Sequence, residues 1–202
     1  MAEHYGEAVN AALLDFIGPL RGTVLDLGCG VGEWAARLRG SGAERLLGVE
    51  PSADAAVAAG RYDEVYQMPV EALGDTPPVD VVIAADVLEH LVDPWQVLRA
   101  LRARVSAGGA LIVSVPNIQR LQALLVMAGG RFAYEDGGFW DRTHLHWFTL
   151  QSLEESLVEA GWLPQAHRFV LGEGRRAQLS RWTGGRWDRF LGHQLHLRAV
   201  AG

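Results

Sequence analysis

The stretch "TVLDLGCGVGEWAARL", Thr23 to Leu38, sets an apolar run against three glycines, Gly28, Gly30 and Gly32, spaced two apart. Glycine accepts positive φ and lets a ligand approach without meeting a Cβ, so this spacing suits a turn that cradles a ligand. Asp26 lies under the turn, able to hold backbone N–H groups or to meet an ammonium group, and Glu50 ends the next apolar run. A carboxylate at that position can accept both ribose hydroxyls of a nucleotide on the turn, or it can cap the helix expected near Ser52. The Lys-Ser/Thr pair of a P-loop is absent, and Glu33 stands where a dinucleotide fingerprint needs its third glycine. Clustered carboxylates repel a pyrophosphate and accept a cation, which favours a positively charged nucleoside cofactor over NAD.

Three histidines could move a proton near pH 7: His90, His144 and His146. His90 follows Asp86 by four residues, just past a run expected to end at the ligand-binding edge of a sheet, where a His can equally tie a loop into the fold. His144 and His146 sit two apart in "DRTHLHWF", on one face if the segment is extended, where they serve as bases or stitch a lid to the sheet. Asp141, His144 and His146 could be metal ligands, but an H-x-H pair on a loop with no nearby cysteine leads us to expect no metal. The aromatics Phe132, Tyr134, Phe139, Trp140, Trp147 and Phe148 crowd the same region. They either cover an acceptor or form a satellite core.

These residues need a frame. Val24–Leu27, Arg45–Glu50, Asp63–Met68, Val79–Asp86 and Ala110–Val115 read as strands. Helical patterns separate them, one beginning at Asp93-Pro94 as cap and first position and running to about Val105, where Ala107–Gly109 stops it. That alternation predicts a three-layer α/β sandwich around a mostly parallel sheet. Helices from Ile118 to Ala128 and Leu150 to Ala160 follow, then Trp162–Leu171 and Phe190–Val200, spaced as an antiparallel pair. The chain of 202 residues suits a single domain. Its irregular parts are a Gly- and aromatic-rich lid at about 129–148 and a loop at about 172–188, expected to be flexible.

At this point the sequence resembles a family. "VLDLGCGVGEWAARL", Glu50, "DVVIAADVLEHLVDP" and "GGALIVSVPN" look like the S-adenosylmethionine-dependent class I methyltransferases. Among them the likeness is to small bacterial enzymes similar to ubiquinone- and polysaccharide-linked O-methyltransferases, and it spans about Leu20 to Val200. The resemblance implies seven strands, the last antiparallel. It implies that Asp26, Gly28, Cys29 and Gly30 contact the methionine part of the cofactor, Glu50 the ribose and Pro51 the adenosine. Gln67 and Met68 would flank the adenine, and Asp86 and Val87 would close the pocket. The acid that many relatives place after the third strand is missing from "YQMP", which leaves adenine to Gln67 or to backbone. Asp141, Thr143 and His144 match a "D-x-T-H-x-R" stretch of the family, with His146 in the place of its Arg.

The expected activity is methyl transfer from S-adenosylmethionine, leaving S-adenosylhomocysteine, to a small-molecule acceptor, first of all a hydroxyl. An N- or C-methyltransferase and a non-catalytic cofactor-binding module are the alternatives. His144, His90 and His146 are the candidate bases, and Phe132, Tyr134, Trp140, Asp141 and Trp147 the candidate acceptor contacts. A net charge of -6 gives no general attraction to a polyanion, so no nucleic-acid partner is expected, the Arg-rich stretch Arg175–Arg189 being only a weak local exception. No run reaches the roughly 18 apolar residues of a membrane span. The single cysteine and an N-terminus without a signal-like pattern point to the cytoplasm. Oligomeric state is left open.

Overall fold

The computed structural model describes residues 11–74, 76–172 and 174–202. The first ten residues, on which the signal-peptide reading rests, lie outside them.

Seven strands form one sheet: β1 (Thr23–Leu27), β2 (Arg45–Val49), β3 (Glu64–Tyr66), β4 (Val79–Ala85), β5 (Val105–Pro116), β6 (Trp162–Val170) and β7 (Gln194–Ala201). Their order is β3-β2-β1-β4-β5-β7-β6. The pairs among β1 to β5 are parallel, and β7 runs antiparallel between β5 and β6. The expected architecture, a mostly parallel sheet with an antiparallel last strand, is the one found.

The helices are α1 (11–17), α2 (Ala35–Gly40), α3 (Ala55–Ala58), α4 (Pro94–Arg102), α5 (Leu121–Ala128), α6 (Leu150–Glu159), α7 (Arg175–Thr183) and α8 (Asp188–Leu191). Alternate strand residues serve opposite faces of the sheet. Leu25, Leu47, Val82 and Val113 pack with Val97, Leu98, Leu101, Leu153 and Leu157 of α4 and α6. Val24, Leu46, Val81, Ile83 and Ile112 pack with Leu13, Ile17, Ala35, Leu38 and Tyr62 on the other side. Burial on both faces is why the central strands read as nearly continuous apolar runs.

α4 starts as expected: the Asp93 carboxylate accepts from the Gln96 N–H at 2.8 Å, and Pro94 stands at the first position. It stops earlier, at Arg102, and β5 begins at Val105 instead of Ala110. The Gly108-Gly109 pair is therefore inside the strand. A Cβ on Gly109 would stand 2.7 Å from the Asp80 carbonyl oxygen, so glycine there lets β5 pass tightly against β4, where the register slips between Val79 and Val81.

The loop expected at about 172–188 is instead largely helical, which corrects that reading among its described residues. α7 follows Gly174 and closes on Gly184 in the left-handed conformation, and α8 follows within five residues. Glu173, within that loop, lies outside the described residues.

Candidate functional site

The carboxyl ends of β1, β2, β4 and β5 meet at one edge, the usual ligand edge of an open parallel sheet. The glycine turn follows β1 directly. The N–H groups of Gly28 and Cys29 both donate to the Val49 carbonyl, at 2.8 and 3.1 Å, fastening the turn to the end of β2. Gly30 has φ of 52°, and no atom lies within 4 Å of the place a Cβ would take. The turn thus presents bare backbone to open space, as a bound cofactor requires. Gly28 differs: a Cβ there would stand 3.1 Å from a Val87 methyl, so Val87 closes against the turn.

Glu50 is buried, with its carboxylate oxygens accepting from the Gly30 N–H at 3.0 Å and the Ser52 N–H at 2.8 Å. It braces the glycine turn and the start of the next segment together. Each oxygen keeps a second lone pair, so the brace leaves room for ribose hydroxyls. Asp26, also buried, accepts from the Tyr62 hydroxyl at 2.5 Å. Burial lifts its pKa to about 7, against the downward pull of the tyrosine bond. The Cys29 thiol is pushed up to about 12, by burial first and then by the Asp26 and Glu50 charges. Cys29 Sγ would lie 2.7 Å from a Cβ on Gly48, so it packs onto β2 as a neutral core group.

Gln67 and Pro51 are exposed and Met68 half-buried, with Gln67 Nε2 donating to the Ser52 carbonyl at 3.2 Å. This ties the end of β3 to the loop after Glu50. Glu71 is engaged elsewhere, accepting from the Val92 N–H at 3.2 Å.

Asp86 carries φ of 55° as the first residue after β4, a left-handed backbone that aspartate tolerates better than most residues. One of its carboxylate oxygens accepts from the Ser114 hydroxyl at 3.0 Å and from the Gln194 side-chain amide. Asp86 is exposed as a residue, but its carboxyl is hemmed in by Ser114 and Gln194, and the partial loss of water there raises its pKa to about 6, against the pull of those two bonds. Glu89 lies three residues on, 1% exposed, and neither of its carboxylate oxygens has a hydrogen-bond partner among the described residues. Burial, and then the neighbouring Asp86 charge, hold its pKa well above the ordinary carboxylate range. Asp86, Glu89, His144 and Gln194, with Pro116, Gly138, Phe139 and Asp141, line a cavity of about 200 Å³.

Segment 129–148 borders this cavity through Gly138, Phe139, Asp141 and His144. Leu145 and His146 donate their N–H groups to the Glu89 carbonyl, at 2.7 and 3.1 Å. His144 is buried, and its Nδ1 stands 3.2 Å from the Phe139 carbonyl, which can only accept. Nδ1 therefore carries the proton and Nε2 keeps the lone pair. Burial, then the neighbouring His90, lower the His144 pKa below 6.5, so it is a neutral imidazole at pH 7. His90 is exposed, with its ring 4.7 Å from that of His144. Its Nδ1 approaches the Thr143 carbonyl at 3.2 Å and the Thr143 hydroxyl at 3.0 Å. That hydroxyl donates to Asp141 at 2.7 Å, so His90 Nδ1 is a donor too. His146 points elsewhere, with Nε2 on the Val92 carbonyl at 3.3 Å and its ring edge-on to Trp95. Glu89, His90 and His144 offer ligand atoms all within 4.8 Å of one another, a group able to share protons or to hold a metal ion.

Phe132, Trp140, Trp147 and Phe139 form one connected aromatic cluster, with Tyr134 on its exposed flank. Of the proposed acceptor contacts only Asp141 lines the cavity; Trp140 and Trp147 stand in the layer behind Phe139 and His144. Sequence reasoning passed over Glu89, Gln194, Ser114 and Tyr62. Glu89 was visible in "DVLEHL", but nothing local marks it as buried. Gln194 meets Asp86 across 108 positions, and no spacing rule reaches that far.

Residues 1–165 match the methyltransferase domain family model. The chain is similar in fold to the S-adenosylmethionine-dependent methyltransferase of Archaeoglobus fulgidus, with a TM-score of 0.69, 20% identity, and 96% and 93% of the two chains covered. The S-adenosylmethionine-dependent methyltransferase of Mesorhizobium loti gives 0.68, 18%, and 96% and 97%. Among curated proteins it is 35% identical over 130 residues to the tRNA U34 carboxymethyltransferase of Pseudoalteromonas translucida, covering 60% of this chain and 40% of that one. The enzyme of the same name from Citrifermentans bemidjiense is 34% identical over 131 residues, covering 60% and 41%. The chain thus spans about two fifths of these relatives' length. Their identity corrects two expectations: the likeness is not to ubiquinone- or polysaccharide-linked O-methyltransferases, and a small-molecule acceptor with nucleic acid excluded loses its ground. Among the described residues no helix is long and apolar enough to cross a membrane. With an open glycine turn braced by Glu50, and with that family match, the chain belongs to the methyltransferase domain family and takes S-adenosylmethionine as its cofactor.

Proposed function

We propose that this domain transfers a group from its S-adenosylmethionine-type cofactor to a uridine of tRNA. The observation that carries the reading is the cavity of about 200 Å³ at the carboxyl ends of β4 and β5, lined by Asp86 and Pro116, taken with the tRNA-modifying relatives. Pockets for drug-sized ligands span roughly 300–1,000 Å³, so this one suits a single planar ring. Enzymes that act on a base take it out of its stack, read its edge by hydrogen bonds and pack its faces against apolar side chains. Here Gln194, Asp86 and Glu89 offer the polar edge, and Phe139 and Pro116 the apolar walls.

The bound cofactor supplies an electrophilic carbon on a sulfonium. The Gly28–Gly30 backbone, Asp26 and Glu50 hold its amino-acid and ribose parts; Gln67, Met68 and Val87 border the adenosine. His144, neutral and with Nε2 free, accepts the acceptor's proton, and His90 stands against it as electrostatic neighbour. Segment 129–148 acts as the lid that keeps water from the reacting atoms. A tRNA acceptor and a single buried cysteine suit the cytoplasm.

The test is incubation with labelled cofactor and bulk tRNA, followed by nucleoside mass spectrometry. Label in a uridine-derived nucleoside is expected, and its mass reports which group moved. Cofactor turnover with no label in RNA overturns the reading.

A further inference from the structure

We propose that the α7–α8 insertion, together with the exposed flank of α5, is the surface on which the RNA strand docks. The inference rests on the tRNA reading above and says where the polyanion lies. Residues 174–192 hold five of the chain's 18 basic residues, Arg175, Arg176, Arg181, Arg186 and Arg189, and one of its 24 acids, Asp188. A chain of net charge -6 therefore concentrates positive charge in one insertion between the edge strand β6 and its neighbour β7. All five arginines are exposed, and none forms an ion pair among the described residues. Cations left without carboxylate partners on a local patch are what phosphate contacts require.

Aromatic rings are interleaved with these charges. Trp182 is 85% exposed and Trp187 53% exposed, well above the usual exposure of an indole, with Trp187 set against Phe190. Exposed aromatics beside arginines are a stacking platform for unpaired bases. Between α5 and α7–α8 lies a cleft of about 570 Å³, with Leu121, Leu125, Phe190 and Leu191 as apolar walls and Arg176 among its charged residues. The positive field is felt inside the fold. The His193 pKa falls to about 4, through burial first and then through Arg120 and Arg176.

The insertion is fixed to the reacting edge. Asn117, just past β5, donates its side-chain N–H groups to the Arg189 and Gly192 carbonyls at 2.8 and 2.9 Å. Two residues after Gly192 comes Gln194, which holds Asp86. The Arg120 guanidinium lies 4.2 Å from the centroid of Phe139, a wall of the small cavity. Docked RNA therefore runs from the insertion to the cavity across α5. A membrane surface fits less well, because the apolar face of α7 is only Leu179 and Trp182, with Ala177 on the other side, too little to lie in a bilayer.

The experiment measures binding of a tRNA transcript by fluorescence anisotropy across a salt series, with S-adenosylhomocysteine affinity and thermal melting as controls. The triple variant Arg175→Gln/Arg181→Gln/Arg186→Gln should weaken binding and flatten the log–log salt slope by about 2, at about 0.7 per lost phosphate contact. Trp182→Ala and Trp187→Ala should each weaken it about tenfold at unchanged slope. Arg181→Lys/Arg186→Lys keeps the charge and should retain the slope. Tight wild-type binding that the triple variant leaves unaltered overturns the docking surface and leaves the tRNA reading standing. Wild-type protein that takes up no tRNA while binding S-adenosylhomocysteine overturns both. Preference for anionic lipid vesicles over tRNA, lost in the triple variant, overturns the choice of RNA.

Discussion

The Tyr62 hydroxyl donates to the Asp26 carboxylate at 2.5 Å, beneath the glycine turn and out of water. The pair holds a carboxylate whose pKa, about 7, lies where cofactor binding can move it. A cofactor ammonium beside it favours the ionised form. Affinity for S-adenosylhomocysteine should therefore climb as pH rises from about 6 to 8, as measured by calorimetry. Asp26→Asn should bind more weakly and lose the pH dependence, and Tyr62→Phe, which removes a bond to the ionised form, should move the midpoint upward. An Asn variant with the wild-type pH profile would place the proton elsewhere.

Glu50 braces two backbone N–H groups, and the ribose contact proposed for it would be a second role. Hydrogen bonds to a charged group contribute about 1.5–3 kcal/mol. Glu50→Ala should cost roughly ten- to a hundred-fold in cofactor affinity and also lower the melting temperature of the cofactor-free protein. Scanning calorimetry and titration on one preparation separate the two losses. Affinity within twofold of wild type would rule out the ribose contact.

His144→Ala should slow turnover by about 10²–10⁴-fold, the usual worth of a general base, with cofactor affinity nearly unchanged. Because burial and His90 lower the His144 pKa, the wild-type rate should fall on acidification with its midpoint below 6.5. A variant that keeps its turnover removes His144 from the chemistry. One that loses cofactor affinity makes it a strut for the lid.

Glu89 yields a prediction about stability. Its folded-state pKa is raised well above the unfolded value, so the folded protein holds this proton more tightly than the unfolded chain. The stabilisation is present below the unfolded pKa and is lost as pH rises through the folded one. Glu89→Gln, which cannot ionise, should melt higher than wild type at pH 8, by roughly 2–4 °C per kcal/mol relieved, and the gap should close toward pH 5. A variant that melts lower at pH 8 would mean that the ionised carboxylate holds the lid down.

How much of this was legible in the sequence follows from how local each signal is. The glycine turn, Glu50, the Asp93-Pro94 helix start and the central strands are written in neighbouring residues, and the fold follows from them. The cavity is not local: Gln194 and Asp86 meet only because β7 enters the sheet beside β5. α7 escaped because its sequence reads as polar and glycine-punctuated, with no apolar face to bury. Net charge misdirected the reading of the acceptor for a related reason. It averages over the chain and hides local charge, such as the five arginines held in one insertion.

The placement of β7 has a consequence for the order in which the molecule can be made. Its neighbours β5 and β6 are complete some two dozen residues or more before β7 begins, yet they pair only through it. In a growing chain β1 to β5 and the glycine turn are all made before β7 exists. Asp86 gains its Gln194 partner only when the final strand slides between two existing edges. Synthesis from the amino end therefore makes the Asp86–Gln194 contact a late one, after every strand of the parallel half exists.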